Sequence, residues 1–194
     1  MKTTIKQYLT TVVLILGTFI NYANENNTSF DIIDGKKVRF EFKQVKKGHI
    51  LSIINENGLV MYRQEIKNTG TYSQIFDLSK LEKGKYTTEL EKDYEITIRN
   101  LTILEGKVYL QDEKKLFKPV IRIEKNLVLI SKITFYEEPI KIVFYYNEEI
   151  IYSETVTNVG TVLNSVYKLS KEKKGAYNVA IKSNNRSYTK TFTL

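Results

Sequence analysis

Apolar and polar residues alternate with a period of two along most of this chain. Val60, Tyr62 and Ile66 alternate with Met61, Arg63 and Glu65, and Tyr86, Thr88 and Leu90 with Lys85, Thr87, Glu89 and Glu91. Successive side chains of a strand point to opposite faces, so this period predicts antiparallel strands with one face on a core and the other in water. Turn signals punctuate the runs at Asp34-Gly35, Lys47-Gly48, Asn57-Gly58, Asn68-Thr-Gly70 and Lys83-Gly84. Helical periodicity is absent beyond the amino-terminal segment.

The pattern predicts seven strands near Phe30–Ile33, Lys37–Phe42, Ile50–Asn55, Leu59–Ile66, Tyr72–Leu78, Lys85–Glu91 and Tyr94–Ile103. Seven more follow near Val120–Ile123, Leu127–Ile133, Ile140–Tyr146, Ile150–Val156, Val162–Leu169, Ala176–Lys182 and Ser187–Leu194. The two sets are copies. A shift of 90 residues aligns Val38 with Val128, Ile50 with Ile140, Ile53 with Val143, Ile54 with Phe144, Asn57 with Asn147, Tyr62 with Tyr152 and Gly70 with Gly160. After one inserted residue, Leu78-Ser79-Lys80 aligns with Leu169-Ser170-Lys171, Gly84 with Gly175 and Tyr86 with Tyr177. Two short units of seven strands predict an all-β fold, two tandem immunoglobulin-like antiparallel β-sandwich domains from an internal duplication. The domains are expected at 24–104 and 118–194, joined by a linker or extra strand over 105–117.

The copied corner carries a structural expectation. Tyr86 and Tyr177 open the penultimate strand of each unit, where a tyrosine hydroxyl reaches back to the preceding connection. Gly84 and Gly175 supply positive φ or a close crossing, and Leu78 and Leu169 close the core below.

The amino terminus adds a destination. Lys2 and Lys6 precede an apolar run from Leu9 to Ile20, and Ala23 offers a cleavage point, so residues 1–23 read as a secretory signal peptide with no stable transmembrane segment after its removal. An exported protein of the periplasm, cell surface or extracellular space is expected. There is no cysteine, so neither disulfides nor a lipid-modified cysteine contribute, and stability rests on apolar cores. The formal charge of +8 falls by two with the signal segment. Its lysines pair at predicted turns (Lys36-Lys37, Lys46-Lys47, Lys114-Lys115, Lys173-Lys174), which fits charged turns and protected edges, with no nucleic-acid partner.

Chemistry is sparse. His49 is the only histidine, stands beside Gly48 and is expected to be solvated, and the five aspartates are scattered without calcium-loop spacing. Glu137-Glu138 and Glu148-Glu149 lie at predicted turns, where neighbours diverge rather than flank one bond. No catalytic residue, cofactor or metal is assigned. Aromatic residues crowd the second unit at Phe135, Tyr136, Phe144, Tyr145, Tyr146 and Tyr152. Tyr136, Tyr145 and Tyr146 form the candidate binding surface, for a protein or glycan at the envelope, with a contact between the domains as the plainer use.

The run Ile75-Phe-Asp-Leu-Ser-Lys-Leu-Glu-Lys-Gly84-Lys-Tyr86, preceded by Asn57-Gly58-Leu-Val60, resembles the carboxy-terminal sorting domains of Bacteroidota secreted proteins, which are immunoglobulin-like and direct export through the type nine secretion system. Neither copy opens with Pro-Asn-Pro, Glu148-Glu149 stands in the second where Asn57-Gly58 stands in the first, and Phe192-Thr-Leu194 lacks a terminal basic residue. The expectation is therefore a non-catalytic exported binding or structural module at the cell envelope. The alternatives are a sorting-domain-like protein and a hydrolase with a site between the domains.

Overall fold

A computed structural model describes residues 28–135, 138–157 and 160–194. The signal segment and Tyr136 lie outside the described residues. Fifteen strands and no helix are found among them. The first sandwich holds β1 (Thr28–Asp34), β2 (Lys37–Val45), β3 (Ile50–Asn55), β4 (Val60–Glu65), β5 (Gly70–Asp77), β6 (Gly84–Glu91), β7 (Glu95–Leu104) and β8 (Lys107–Phe117). The second holds β9 (Val120–Glu124), β10 (Leu127–Ile133), β11 (Ile140–Tyr146), β12 (Glu149–Val156), β13 (Val162–Lys168), β14 (Ala176–Ser183) and β15 (Arg186–Thr193).

Each half packs two antiparallel sheets. The orders β1-β2-β5 and β4-β3-β6-β7 recur as β9-β10-β13 and β12-β11-β14-β15. Between the units, where a linker or an extra strand is expected, Lys107–Phe117 forms β8, which pairs along β7 and gives the first sandwich a five-stranded sheet. Val38, Phe40, Phe42, Leu51, Ile53 and Leu90 meet in the first core, and Val128, Ile130, Ile142, Phe144, Val179 and Ile181 in the second.

Bulges explain where simple alternation fails. In β2 the register slips between Phe42 and Val45, with Gln44 at φ 56°, so Val45 turns inward although it breaks the parity of Val38, Phe40 and Phe42. In β4 the slip against β3 leaves Met61 without an opposite residue, and Val60, expected on the apolar face, is exposed. The same slip recurs at Ile151 in β12, leaving Ile150 exposed.

Three further expectations are corrected. Ile53 lies opposite Thr88 and Phe144 opposite Val179, so Ile53 corresponds to Phe144, one residue beyond the sequence alignment. The longer β3–β4 turn, closed by Asn55 N–H on the Leu59 carbonyl at 2.9 Å, restores the 90-residue shift at Tyr62 and Tyr152. The matching turn in the second half is Asn147-Glu148, both with positive φ, rather than Glu148-Glu149. His49 is buried at 5% exposure, not solvated. Its Nδ1 accepts the Lys46 N–H at 3.1 Å, so the ring closes the β2–β3 loop. Burial lowers its pKa, opposed by the charge of Asp93.

The sandwiches also touch. Ile96 and Leu116 are 2% and 7% exposed, stand opposite each other on β7 and β8, and belong to neither core. They lie on the outer face of the five-stranded sheet, because the inner face carries Leu101 and Ile103 at the other parity. Leu116 adjoins Lys132, Phe135 and Asn184 of the second sandwich, and Phe117 meets Phe135 with ring centroids 5.7 Å apart. Lys132 occupies the register position that Phe42 fills in the first half; its Nζ reaches across the joint to donate to the Phe117 carbonyl at 3.0 Å. Burial holds the Lys132 pKa below the ordinary lysine range, with Glu138 pulling the other way. Arg186 pairs with Glu89 on β6.

Truncating Leu116 to Ala removes apolar contact from the joint rather than from a core. A loss of about 2–4 kcal/mol is expected, with calorimetric unfolding separating into two transitions. A single transition at the wild-type temperature would show that the sandwiches do not depend on this contact.

Candidate functional site

The corner makes the same hydrogen bonds in both halves. Tyr86 Oη donates to the Glu82 carbonyl at 3.0 Å, and Tyr177 Oη to the Lys173 carbonyl at 2.9 Å, each four residues upstream. Leu78 N–H donates to the Lys36 carbonyl at 2.9 Å and Leu169 N–H to the Asn126 carbonyl at 2.8 Å, extending the β2–β5 and β10–β13 ladders by one step before the chain crosses to the other sheet. Leu78 is in the first core and Leu169 packs against the second. Gly84 and Gly175 have φ 154° and 149°. Burial is the main cause that raises both tyrosine pKa values, so the hydroxyls remain donors at neutral pH.

The second corner carries more aromatic mass. Tyr177 stacks on Phe192 at 5.6 Å and leans on Tyr146 at 4.9 Å, and Tyr146 Oη donates to the Lys174 carbonyl at 2.9 Å. Tyr146 is thus committed to the corner. A Cβ on Gly175 would come within 3.0 Å of the Tyr146 ring, whereas on Gly84 it meets nothing nearer than 3.9 Å.

Tyr145 faces the other way. Ile142 and Phe144 of β11 point into the core, so Lys141, Val143 and Tyr145 share the outer face of the four-stranded sheet. Tyr145 lines a shallow depression with Asn147, Glu148, Ala176, Asn178 and Thr191, and Asn178 Oδ1 is buried there without a hydrogen-bond partner. Nothing in the sequence ties Tyr145 to Asn178, which sits opposite it only through β11–β14 pairing.

A second concavity lies between the sandwiches. Ile98, Lys114 and Leu116 form one wall, and Glu138, Pro139, Lys141, Lys182 and the Ser183–Ser187 hairpin the other. Glu138 is its one carboxylate among the described residues, and its Oε2 accepts the Asn184 N–H at 3.0 Å. A third acidic feature spans the open side of the second sandwich. There the Glu154 carboxylate accepts Tyr152 Oη at 2.9 Å and also Tyr167 Oη, joining β12 to β13. No group of three or more His, Cys, Asp or Glu among the described residues could hold a metal ion. No helix among them is long and apolar enough to cross a membrane.

Residues 34–104 match the family model described as the secretion system C-terminal sorting domain, a stretch that includes Asn57-Gly58 and the Asp77–Tyr86 corner. The resemblance carried by those residues therefore holds for the first sandwich, and it implies an exported protein of the envelope or extracellular space. No curated protein matches the sequence. Among solved structures, a biofilm-associated protein BSP domain is 11% identical, with 87% of this chain and 29% of that chain covered, at a TM-score of 0.28. A two-domain fibronectin type-III segment of chicken tenascin is 12% identical, covering 86% and 97%, at 0.29. The human OSCAR ligand-binding domain is 8% identical, covering 86% and 96%, at 0.25.

Each corner tyrosine is expected to cost about 1 kcal/mol on substitution by Phe, read by denaturant titration. Ala at Gly84 should cost about 1–3 kcal/mol through backbone strain. The same change at Gly175 should cost more, since the Tyr146 ring must also move. Equal losses at the two glycines would contradict the role given to Tyr146.

Proposed function

We propose that this protein is a non-catalytic, exported tandem β-sandwich of the cell envelope, which binds a glycan on the outer face of its second sandwich. The reading is carried by Tyr145, an aromatic ring set beside the unpartnered Asn178 Oδ1 with Asn147, Glu148 and Thr191 around it. An aromatic face with polar groups at its rim suits a sugar ring, which offers C–H bonds to the ring and hydroxyls to the rim. A hydrolase between the sandwiches would need two converging carboxylates, and the interdomain concavity offers Glu138, already bonded to the Asn184 backbone.

Calorimetric titration of the purified chain with oligosaccharides released from the host envelope tests this. Tyr145→Ala should weaken binding about tenfold or more without altering the melting temperature, since the ring lies outside the core. Unchanged affinity would remove Tyr145 from the reading.

The family match favours a second reading, in which the sandwiches carry a sorting signal. The test is a folded reporter placed between a signal peptide and residues 28–194, expressed in a host with the type nine secretion system. The envelope-module reading predicts periplasmic retention. Reporter at the surface or in the medium, cleaved from the sandwiches, would make sorting the leading function.

A further inference from the structure

We infer that the glycan is anionic, carrying sulfate or phosphate groups, and that Lys141 and Lys182 hold that charge in the cleft between the sandwiches. The inference rests on the glycan-binding reading above and extends it to the class of ligand.

The two lysines stand directly opposite each other on β11 and β14, on the outer face, and both line the cleft. Like charges in this position weaken strand pairing, so the arrangement calls for a reason. Protection against edge-to-edge aggregation is not available as that reason, because β11 and β14 are the two central strands of the sheet. Nor does the fold require it. The equivalent positions of the first sandwich hold Ile50 opposite Glu91, and Glu91 is bridged to Lys118 at 2.8 Å.

Of the charges nearby, Arg186 pairs with Glu89, and Glu138, which accepts the Asn184 N–H, faces the cleft as its one carboxylate among the described residues. Lys141 and Lys182 have no ion pair among the described residues. A bound sulfate or phosphate would turn their mutual repulsion into two charge-assisted contacts. The cleft adds hydroxyls from Thr155, Ser183 and Ser187, donors and acceptors of the kind that sugars use.

The placement also links the two regions. Lys141 and Tyr145 are four residues apart on one strand and one face, about 13 Å at strand rise. An oligosaccharide spanning that distance reaches both, with a ring on Tyr145 and an anionic substituent at the lysines, bridging over Val143 and Ala180, which are 3% and 6% exposed. A lipid headgroup fits less well, because the lysines, although exposed, share a cleft with Ile98 and Leu116 of the first sandwich, which a planar bilayer would meet as well.

Titration of the full chain with a sulfated tetrasaccharide and with its desulfated counterpart tests the inference. The native chain should prefer the sulfated ligand about tenfold or more, and the preference should shrink as salt is raised. Lys141→Gln combined with Lys182→Gln should bind the two ligands alike and melt no lower than the native chain, since a repulsion is removed. Lys141→Glu, which creates an opposite-charge pair with Lys182, should also abolish the preference and serves where the double variant folds poorly. A preference that survives these changes would overturn the inference, as would a native chain that does not distinguish the ligands, or lysine-dependent binding to anionic phospholipid vesicles alone. Failure of the glycan reading itself looks different: Tyr145→Ala would then leave affinity for the desulfated ligand unchanged.

Discussion

Docking of one sandwich on the other, through Leu116 and Phe117 against Lys132 and Phe135, is the contact on which the functional geometry depends. Ile96 and Leu116 lie on the outer face of a sheet, where alternation ordinarily places polar groups, and both are nevertheless buried. Apolar side chains at outward positions cost solubility unless something covers them. At Leu116 the second sandwich does so, and the joint is then fixed in direction by polar contacts at its rim, Lys132 to the Phe117 carbonyl and Arg186 to Glu89. β8 matters here because it supplies Leu116 and Phe117 to the joint while completing the sheet of the first sandwich. The cleft that exposes Lys141 and Lys182 exists only with the two bodies held in this way.

The two halves differ in an informative pattern. What stays the same is what closes a sandwich: the tyrosine-to-carbonyl bond of each corner, the leucine amide that ends the β2–β5 or β10–β13 ladder, the glycine at extended positive φ, and the bulges at Met61 and Ile151. What changes lies at the joint and on the outer face. Phe42 becomes Lys132, an apolar core group replaced by a cation that spans the joint. Ile50 opposite Glu91 becomes Lys141 opposite Lys182, and Ile54 becomes Tyr145 at the corresponding site. Divergence is thus concentrated on surfaces that can meet another molecule, and the load of holding each fold rests on what both halves share.

Much of the fold was legible in the sequence because strands announce themselves through a two-residue period, and the repeated Leu-Ser and Gly-x-Tyr runs fall where the chain crosses between sheets. Legibility ended where the period is broken by a single residue. The bulges at Gln44 and Met61 reverse which side chains face inward, and the register of β11 slipped by one because a loop gained a residue while the next turn lost one. His49 looked solvated beside Gly48, yet its ring accepts a backbone N–H that the loop would otherwise leave unpaired. Of the aromatic cluster, Tyr145 could be read as outward from its neighbour Phe144, while the engagement of Tyr146 with the Lys174 carbonyl could not. Lys141 and Lys182 are far apart in the chain, and only strand pairing brings them together.

In the proposed function, the outer face of the second sandwich, from Tyr145 to the lysines of the cleft, is where ligand binds. The most direct measurement is the map of backbone amide shifts in the full chain, isotopically labelled, as a sulfated oligosaccharide is added. Ligand bound there should shift amides concentrated on Lys141, Val143 and Tyr145 of β11 and on Asn178, Ala180 and Lys182 of β14, with the first sandwich affected only along the cleft wall at Ile98 and Leu116. Changes confined to the exposed edges β4 and β12, or spread evenly over surface lysines, would contradict it.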